Sequence, residues 1–346
     1  MMGSALTRIE ALGTQLQKTW AEHAFAPEAF IELCTTALTH ARLEQQLSAG
    51  QILAEIAGRA ALPEDPPVEN RVVDEQLTLF RCPEFVIQVL VWLDGITDIH
   101  DHRLSGAYVA LEGERIEAQY RFLCDERLDE SIRIGRIETV ALERVRPGQV
   151  RPFTPGADYL HAVFHLHHPS VTLAIRAPRL DVDAGFNYHR PGIAVRGKAN
   201  ARVRQRIQAL QTLHLAGYAE QGAALEHALL EAEPLELYLL LNHFRGVYSQ
   251  RLPELRALLS RLREKRGPWV NTLARSFAER TRMLQIRGLR QAERDVNFRL
   301  ALALILHAQT LDDVEGARAP EVLSALQLIA EQVPELRADV LRLTTG

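Results

Sequence analysis

WLDGITDIHDHRLSGAYVALEG, residues 92–113, places two histidines, His100 and His102, on either side of a single aspartate. In a β-strand successive side chains point to opposite faces, so residues two apart look the same way and can grip one metal ion. The plain alternative is a pair of polar positions on a solvent-facing strand. The context favours the metal: the apolar run 85–92 enters, a turn bearing Asp94 and Gly95 precedes the histidines, and a Leu-Glu-Gly turn closes a second hydrophobic strand.

Outward from this stretch, residues 70–195 carry strand signals. QLTLF, FVIQVLVW, GAYVALEG, RIEAQYRF, ETVALERV and VTLAIRA are short, rich in β-branched and aromatic residues, and separated by Gly, Pro and Asp turns. Six such strands can close a small barrel, and a barrel lined by alternate residues turns an HxH strand into a buried site. Residues 1–65 read as helical, with Leu6, Ile9, Leu12, Leu16 and Trp20 on one stripe, Ser4 as an N-cap, and further helices starting at Pro27 and near residue 49. ALPEDPPVEN, residues 61–70, has three prolines and three acids in ten positions and marks a boundary. His23 and His40 belong to helix surfaces or ends. Residues 196–346 return to helical spacing, with VNFRLALALILHAQ as a buried central helix and Pro320 and Pro334 opening the last two. The expected organisation is therefore a helical segment over 1–65, a β-barrel over 66–195 and a helical bundle over 196–346.

With 47% hydrophobic and 24% charged residues the chain has the balance of an ordinary globular protein. A formal charge of −4 gives no electrostatic footprint for nucleic acid or an anionic membrane. Cys34, Cys82 and Cys124 lie far apart without a CxxC, so neither a zinc knuckle nor a disulfide framework is expected. No secretory signal and no run of eighteen apolar residues is present, and a cytoplasmic location is the expectation. Only three lysines occur, so arginine is the default cation and Arg202, Arg204, Arg206, Arg261, Arg263 and Arg266 read as a solvated helix face.

Gly95, His100, His102, Gly106 and Gly113 resemble the first motif of the cupin superfamily, and within it the words W, G, IHDH and LEG resemble the cysteine dioxygenase group of iron-dependent thiol dioxygenases. The second motif of that group is matched by TPGADYLHAVFHLHHPS, residues 154–170, through Pro155, Gly156 and HAVFH. The resemblance implies an α+β fold with a cupin (jelly-roll β-barrel) core, and His161 as third ligand beside His100 and His102. It also implies Fe(II), with zinc, manganese or nickel as alternatives. The reaction implied places both atoms of O2 on the sulfur of a small thiol.

The sequence departs from that family at several points. Gly106 stands where the cupin motif has a glutamate, His165 replaces an asparagine, and the family's Ser-His-Tyr series after the third ligand becomes Thr172, Ala174 and Arg176. Arg71 and Arg81 do not fall where the family's substrate-carboxylate arginine does. Arg176 shares a face with Thr172 by strand parity and is either a relocated anion clamp or a rim residue paired with Asp181 or Asp183. Tyr159, His165, Tyr188 and His189 are further candidates for the pocket, whereas His167 and His168 read as turn residues before Pro169.

Three function classes stay open: an iron oxygenase acting with O2 on a small thiol, a carboxylate or another small ligand that chelates the metal, a metal-dependent cupin of other chemistry (hydrolase, isomerase or decarboxylase), and a non-catalytic sensor or scaffold. The helical regions offer surfaces for a homodimer or for docking a carrier or peptide.

Overall fold

The computed structural model describes residues 4–59, 63, 75–93, 95–179, 181–249 and 252–345. The expected boundary at 61–70, Arg71 and Asp94 lie outside the described residues, apart from Pro63. Three helices come first: α1 (Ala5–Glu22), α2 (Pro27–Ala41) and α3 (Ala49–Gly58). Ser4 caps α1 by accepting from the Thr7 amide, and Ser48 and Gln51 form a capping box on α3.

The strands follow: β1 (Glu75–Arg81), β2 (Val86–Trp92), β3 (Ile99–His100), β4 (Leu104–Glu112), β5 (Arg115–Arg127), β6 (Ile132–Val145), β7 (Val150–Phe153), β8 (Leu160–His165), β9 (Ser170–Pro178), β10 (Asn187–His189) and β11 (Ile193–Val195). Five of them form a sheet in the order β1-β2-β9-β4-β7, and the order β10-β11-β6-β5-β8-β3 closes as a barrel. The remaining helices are α4 (Ala201–Leu215), α5 (Gln221–Glu231), α6 (Pro234–Ser249), α7 (Leu252–Arg266), α8 (Trp269–Ala292), α9 (Val296–His307), α10 (Pro320–Gln332) and α11 (Arg337–Thr345). A β-barrel core between N-terminal and C-terminal helices is the α+β architecture expected.

The chain divides into two compact units, Met1–Arg121 with Thr139–Gly185 and Ile286–Gly346, and Phe122–Glu138 with Phe186–Gln285. In the first, side-chain alternation gives the five-stranded sheet two different faces. Ile87, Val89 and Val91, Ala107, Val109 and Leu111, and Val171, Leu173 and Ile175 pack with Leu6, Ile9, Leu16, Trp20, Phe30, Leu38 and Ile52 from α1–α3. The intervening residues Leu90, Trp92, Tyr108 and Ala174 form a separate cluster with Phe153. The N-terminal helices thus cover one face of the sheet and leave the other to line an interior.

The same unit includes α9, whose residues from Arg299 to His307 are all buried. Two buried arginines bolt these helices to β8: Arg290 Nε donates to the carbonyl of His165 at 2.8 Å, and Arg299 NH1 to that of Leu166 at 3.0 Å. The Tyr120 hydroxyl and His307 Nδ1 lie 2.6 Å apart.

In the second unit, Ile132, Ile134, Ile193 and Val195 share a core with Leu229 of α5, Leu237 and Leu241 of α6, Leu262 of α7 and Leu273 of α8. Four of its basic residues are ion-paired within it: Arg202 and Arg206 reach Glu236, Arg261 reaches Glu226, and Lys265 reaches Glu231.

Candidate metal centre

His100 and His161 are direct cross-strand partners on β3 and β8, and His102 follows two residues after His100. A backbone bond from the Gly156 amide to the His102 carbonyl, 2.8 Å, ties the histidine pair to the Pro-Gly turn that leads into β8. Gly156 has φ +79°, and a Cβ there would meet Val182 Cγ1 at 2.8 Å, so the turn requires glycine. The result is that one ring nitrogen from each of His100, His102 and His161 lies within 4.8 Å of the others.

Two of the three imidazoles are oriented from behind. His100 Nδ1 lies 2.9 Å from the carbonyl oxygen of Asp98, to which it donates, and His161 Nδ1 lies 3.0 Å from Glu117 Oε1. With Nδ1 serving as donor in each, the Nε2 lone pairs are turned toward the common point, the arrangement usual for metal-bound histidine. His102 Nε2 and His161 Nε2 are 2.9 Å apart, close to the separation of about 3 Å for two nitrogens at right angles on one ion with bonds of about 2.1 Å. Burial holds His100 down to about 3, helped by the charges of His161 and Arg176, and it holds His102 well below the ordinary histidine value. Neutral imidazoles are the metal-binding form, so the donor set fits a divalent transition metal.

Behind His161 is a buried polar network that sequence reasoning missed. Glu117 is 3% exposed and accepts from the hydroxyls of Tyr108 and Tyr159 as well as from His161. Arg115 Nε lies 4.0 Å from the Glu117 carboxylate, its NH1 donates to Thr172 Oγ1 at 2.9 Å, and its guanidinium lies 4.6 Å above the Tyr108 ring. Burial would raise the Glu117 carboxyl, but the His161 hydrogen bond and the charges of His161 and Arg115 hold it well below the usual range. Burial and the Glu117 charge push both phenols up, so they act as hydrogen-bond donors. The available signal was RIEAQY, in which Arg115 and Glu117 share a strand face. Charged residues two apart read by default as solvent-facing, and nothing local says otherwise.

The other expected site residues fall as follows. Thr172 accepts from Arg115, and Tyr159 lies with its ring 4.9 Å from that of His161. His165 stacks on Trp92 at 4.6 Å, is 1% exposed, and has no hydrogen-bond partner on either ring nitrogen. Burial and the charges of Arg115 and Arg290 hold it well below the ordinary histidine value. Arg176 NH1 donates to Gln76 and Gln88, each at 3.3 Å, and Asp181 pairs with Arg179 instead, which removes the expected Asp181 rim pairing. Tyr188 and His189 belong to the second unit, where His189 Nε2 lies 2.9 Å from the Tyr238 hydroxyl. His167 Nδ1 accepts from the Glu114 amide at 3.0 Å, and His168 is exposed, as are His23, His40 and Arg81.

No family model and no curated protein matches this sequence. Among solved structures, a cupin superfamily protein from Desulfitobacterium hafniense is 16% identical, with 34% of this chain and 94% of that one covered at a TM-score of 0.20. A DMSP lyase structure is 16% identical over 51% of this chain and 95% of that one, TM-score 0.29. Peruvianin-I, a cysteine peptidase from Thevetia peruviana latex, is 19% identical at a TM-score of 0.20; the match covers 34% of this chain and only 58% of the peptidase's length. Likeness at these levels carries no argument about activity. What the chain does has to be read from its own side chains: a β-barrel with a three-histidine group able to hold a metal. No helix among the described residues is long and apolar enough to cross a membrane.

Proposed function

We propose that this protein is a mononuclear non-haem iron oxygenase of the thiol dioxygenase type, with His100, His102 and His161 as its metal ligands. The observation that carries the reading is the convergence of three imidazole nitrogens with no carboxylate among them. An all-imidazole set leaves the full charge of a divalent ion and several open positions, which suits an anionic thiolate together with O2. Bound there, iron would supply the redox chemistry that joins O2 to sulfur. The stoichiometry needs no further reductant: one thiol and one O2 give one sulfinic acid, sulfur losing the four electrons that O2 gains.

The protein's own groups do the rest. The Asp98 carbonyl and Glu117 fix the rings of His100 and His161. Tyr108 and Tyr159, held as neutral phenols on Glu117, keep that carboxylate from turning toward the ion. Leu90, Trp92 and Phe153 make an apolar wall that limits water. Thr172 is committed to Arg115 and Ala174 has no polar atom, so the hydroxyl-imidazole-phenol series of the family has no counterpart on β9. That loss favours one second reading, a metal-dependent enzyme of other chemistry in the same barrel.

Oxygen uptake separates the two. After anaerobic loading with iron, the protein is expected to consume O2 in proportion to an added small thiol such as cysteine or 3-mercaptopropionate, and His102→Ala to abolish it. Stoichiometric iron with no thiol-dependent uptake would transfer the assignment to the second reading.

A further inference from the structure

The hairpin of α1 and α2 holds a groove of about 530 Å³ that is separate from the metal centre: the residues lining it lie between Arg8 and Gln46, and none belongs to a strand. Residues 23–26 join the two helices, and Trp20 Nε1 donates to the Ala26 carbonyl at 2.8 Å across that connection, so the helices run antiparallel. Arg8, Leu12, Gln15 and Thr19 follow one face of α1, and Leu33, Ala37 and His40 line the groove from α2. Leu16 and Leu43 in its floor are buried, and Leu12, Leu33, Ala37 and Ala41 pack on the core that α1–α3 share with the sheet. The floor therefore carries that core out to the surface, where Ala11 and Thr36 on its walls are exposed.

The two ends of the groove differ. Arg42 has a left-handed φ of +42°, which turns the chain after α2 and brings Gln46 back beside Arg8. The Arg8 guanidinium donates to Gln46 Oε1, and Gln46 Nε2 donates to the Ala41 carbonyl at 2.8 Å. His40 lines the same end, because in an antiparallel pair the last turn of α2 meets the first turns of α1. Thr19 lies at the opposite end and carries no charge. Among the described residues, no Asp or Glu and no aromatic ring lines the groove.

The volume is within the range of small-molecule sites, about 300–1,000 Å³. The helical rise from Arg8 to Thr19 gives it a length of about 16 Å. Aliphatic walls without a ring to stack on suit a flexible hydrocarbon chain, and a cationic end with no carboxylate in the lining suits an anionic head. We infer that the α1–α2 groove binds a single-chain aliphatic carboxylate, its chain along Leu12, Leu16, Leu33 and Ala37 and its head on Arg8. The inference stands on the groove's own residues and is independent of what the three histidines do.

Calorimetric titration of the full chain with decanoate, dodecanoate and dodecyltrimethylammonium, each kept below its micelle concentration, tests it. Saturable binding of dodecanoate is expected, about tenfold or more tighter than that of decanoate, since each buried methylene strengthens binding about fourfold. Dodecanoate should also bind more tightly than the cationic amphiphile of the same chain length. Thr36→Trp and Ala11→Phe, both at exposed positions, should fill the groove and abolish binding. Arg8→Gln should weaken dodecanoate about fivefold without weakening the cationic amphiphile. Should one groove-filling variant not fold, the other and the chain-length series decide. No saturable dodecanoate binding, binding indifferent to both groove-filling variants, or equal binding of the cationic amphiphile would overturn the assignment. A native dimer that Thr36→Trp dissociates, with no dodecanoate uptake, would overturn it in favour of a second copy of this chain. Thiol-dependent O2 uptake is expected to be unchanged in Thr36→Trp, so the groove and the oxygenase reading fail separately.

Discussion

At the scale of residues, the centre depends on groups that never touch the metal position. Glu117→Gln keeps the shape of the side chain but removes the charge facing His161 Nδ1. It should weaken metal binding about 10- to 100-fold, as loss of such partners does, measured by competition with a coloured chelator; unchanged affinity would deny Glu117 this role. Protons act on the same residues with a sign that can be worked out. His100, His102 and His165 are held below the ordinary histidine value in the folded chain, His100 at about 3. The unfolded chain takes up those protons near pH 6.5 while the folded chain does not. The stability they confer is therefore fully present above about pH 6.5 and is lost as pH falls toward the folded values, by at most about 1.4 kcal/mol per pH unit for each group. Urea unfolding of the metal-free chain between pH 7 and pH 5 should show this slope, and His165→Leu should flatten it. Glu117 contributes below that window: its depressed carboxyl stabilises above the ordinary carboxylate range, and that contribution is lost only at lower pH. An identical slope in His165→Leu would show that His165 does take up its proton in the folded chain.

At the scale of elements, β8 carries His161 and is anchored from outside the barrel. Arg290→Met removes the donor to the His165 carbonyl and leaves a buried acceptor unpaired, a loss of about 1–3 kcal/mol. Leu302→Ala in the middle of α9, where the side chain is fully buried, should cost about 2–5 kcal/mol through the cavity it leaves. Both are read from denaturation midpoints, and values within error of the native chain would mean that the end of α8 and α9 are peripheral to the fold. These bolts were not legible in the sequence. Arg290 and Arg299 lie among many arginines on helices with charged neighbours, and only their bonds to the His165 and Leu166 carbonyls, from α8 and α9, distinguish them from solvated ones. Local signals were legible where the chemistry is local: Ser4 caps α1, Pro27 opens α2, and the period-two alternation on β2, β4 and β9 separates the faces that the structure separates.

At the scale of the whole molecule, the barrel and its flanking helices followed from composition and periodicity, and the HxH spacing brought His100 and His102 together before any long-range contact was known. His161 came from a motif resemblance, and its pairing with His100 across β3 and β8 supplies the physical reason for it. The network on Glu117 and the glutamines around Arg176 escaped detection because they depend on register between strands distant in sequence. A one-residue shift would turn each of them outward. The grouping of the chain into two units likewise depends on long-range contacts, since β5 and β6 each contribute residues to both. The claim on which the functional reading rests is that three imidazoles hold one metal ion. Metal content of the full chain after anaerobic titration with iron(II) and removal of excess tests it most directly. One equivalent per chain is expected, falling to near zero in His161→Ala. Full occupancy in His161→Ala, or no retained iron in the native chain, would contradict it.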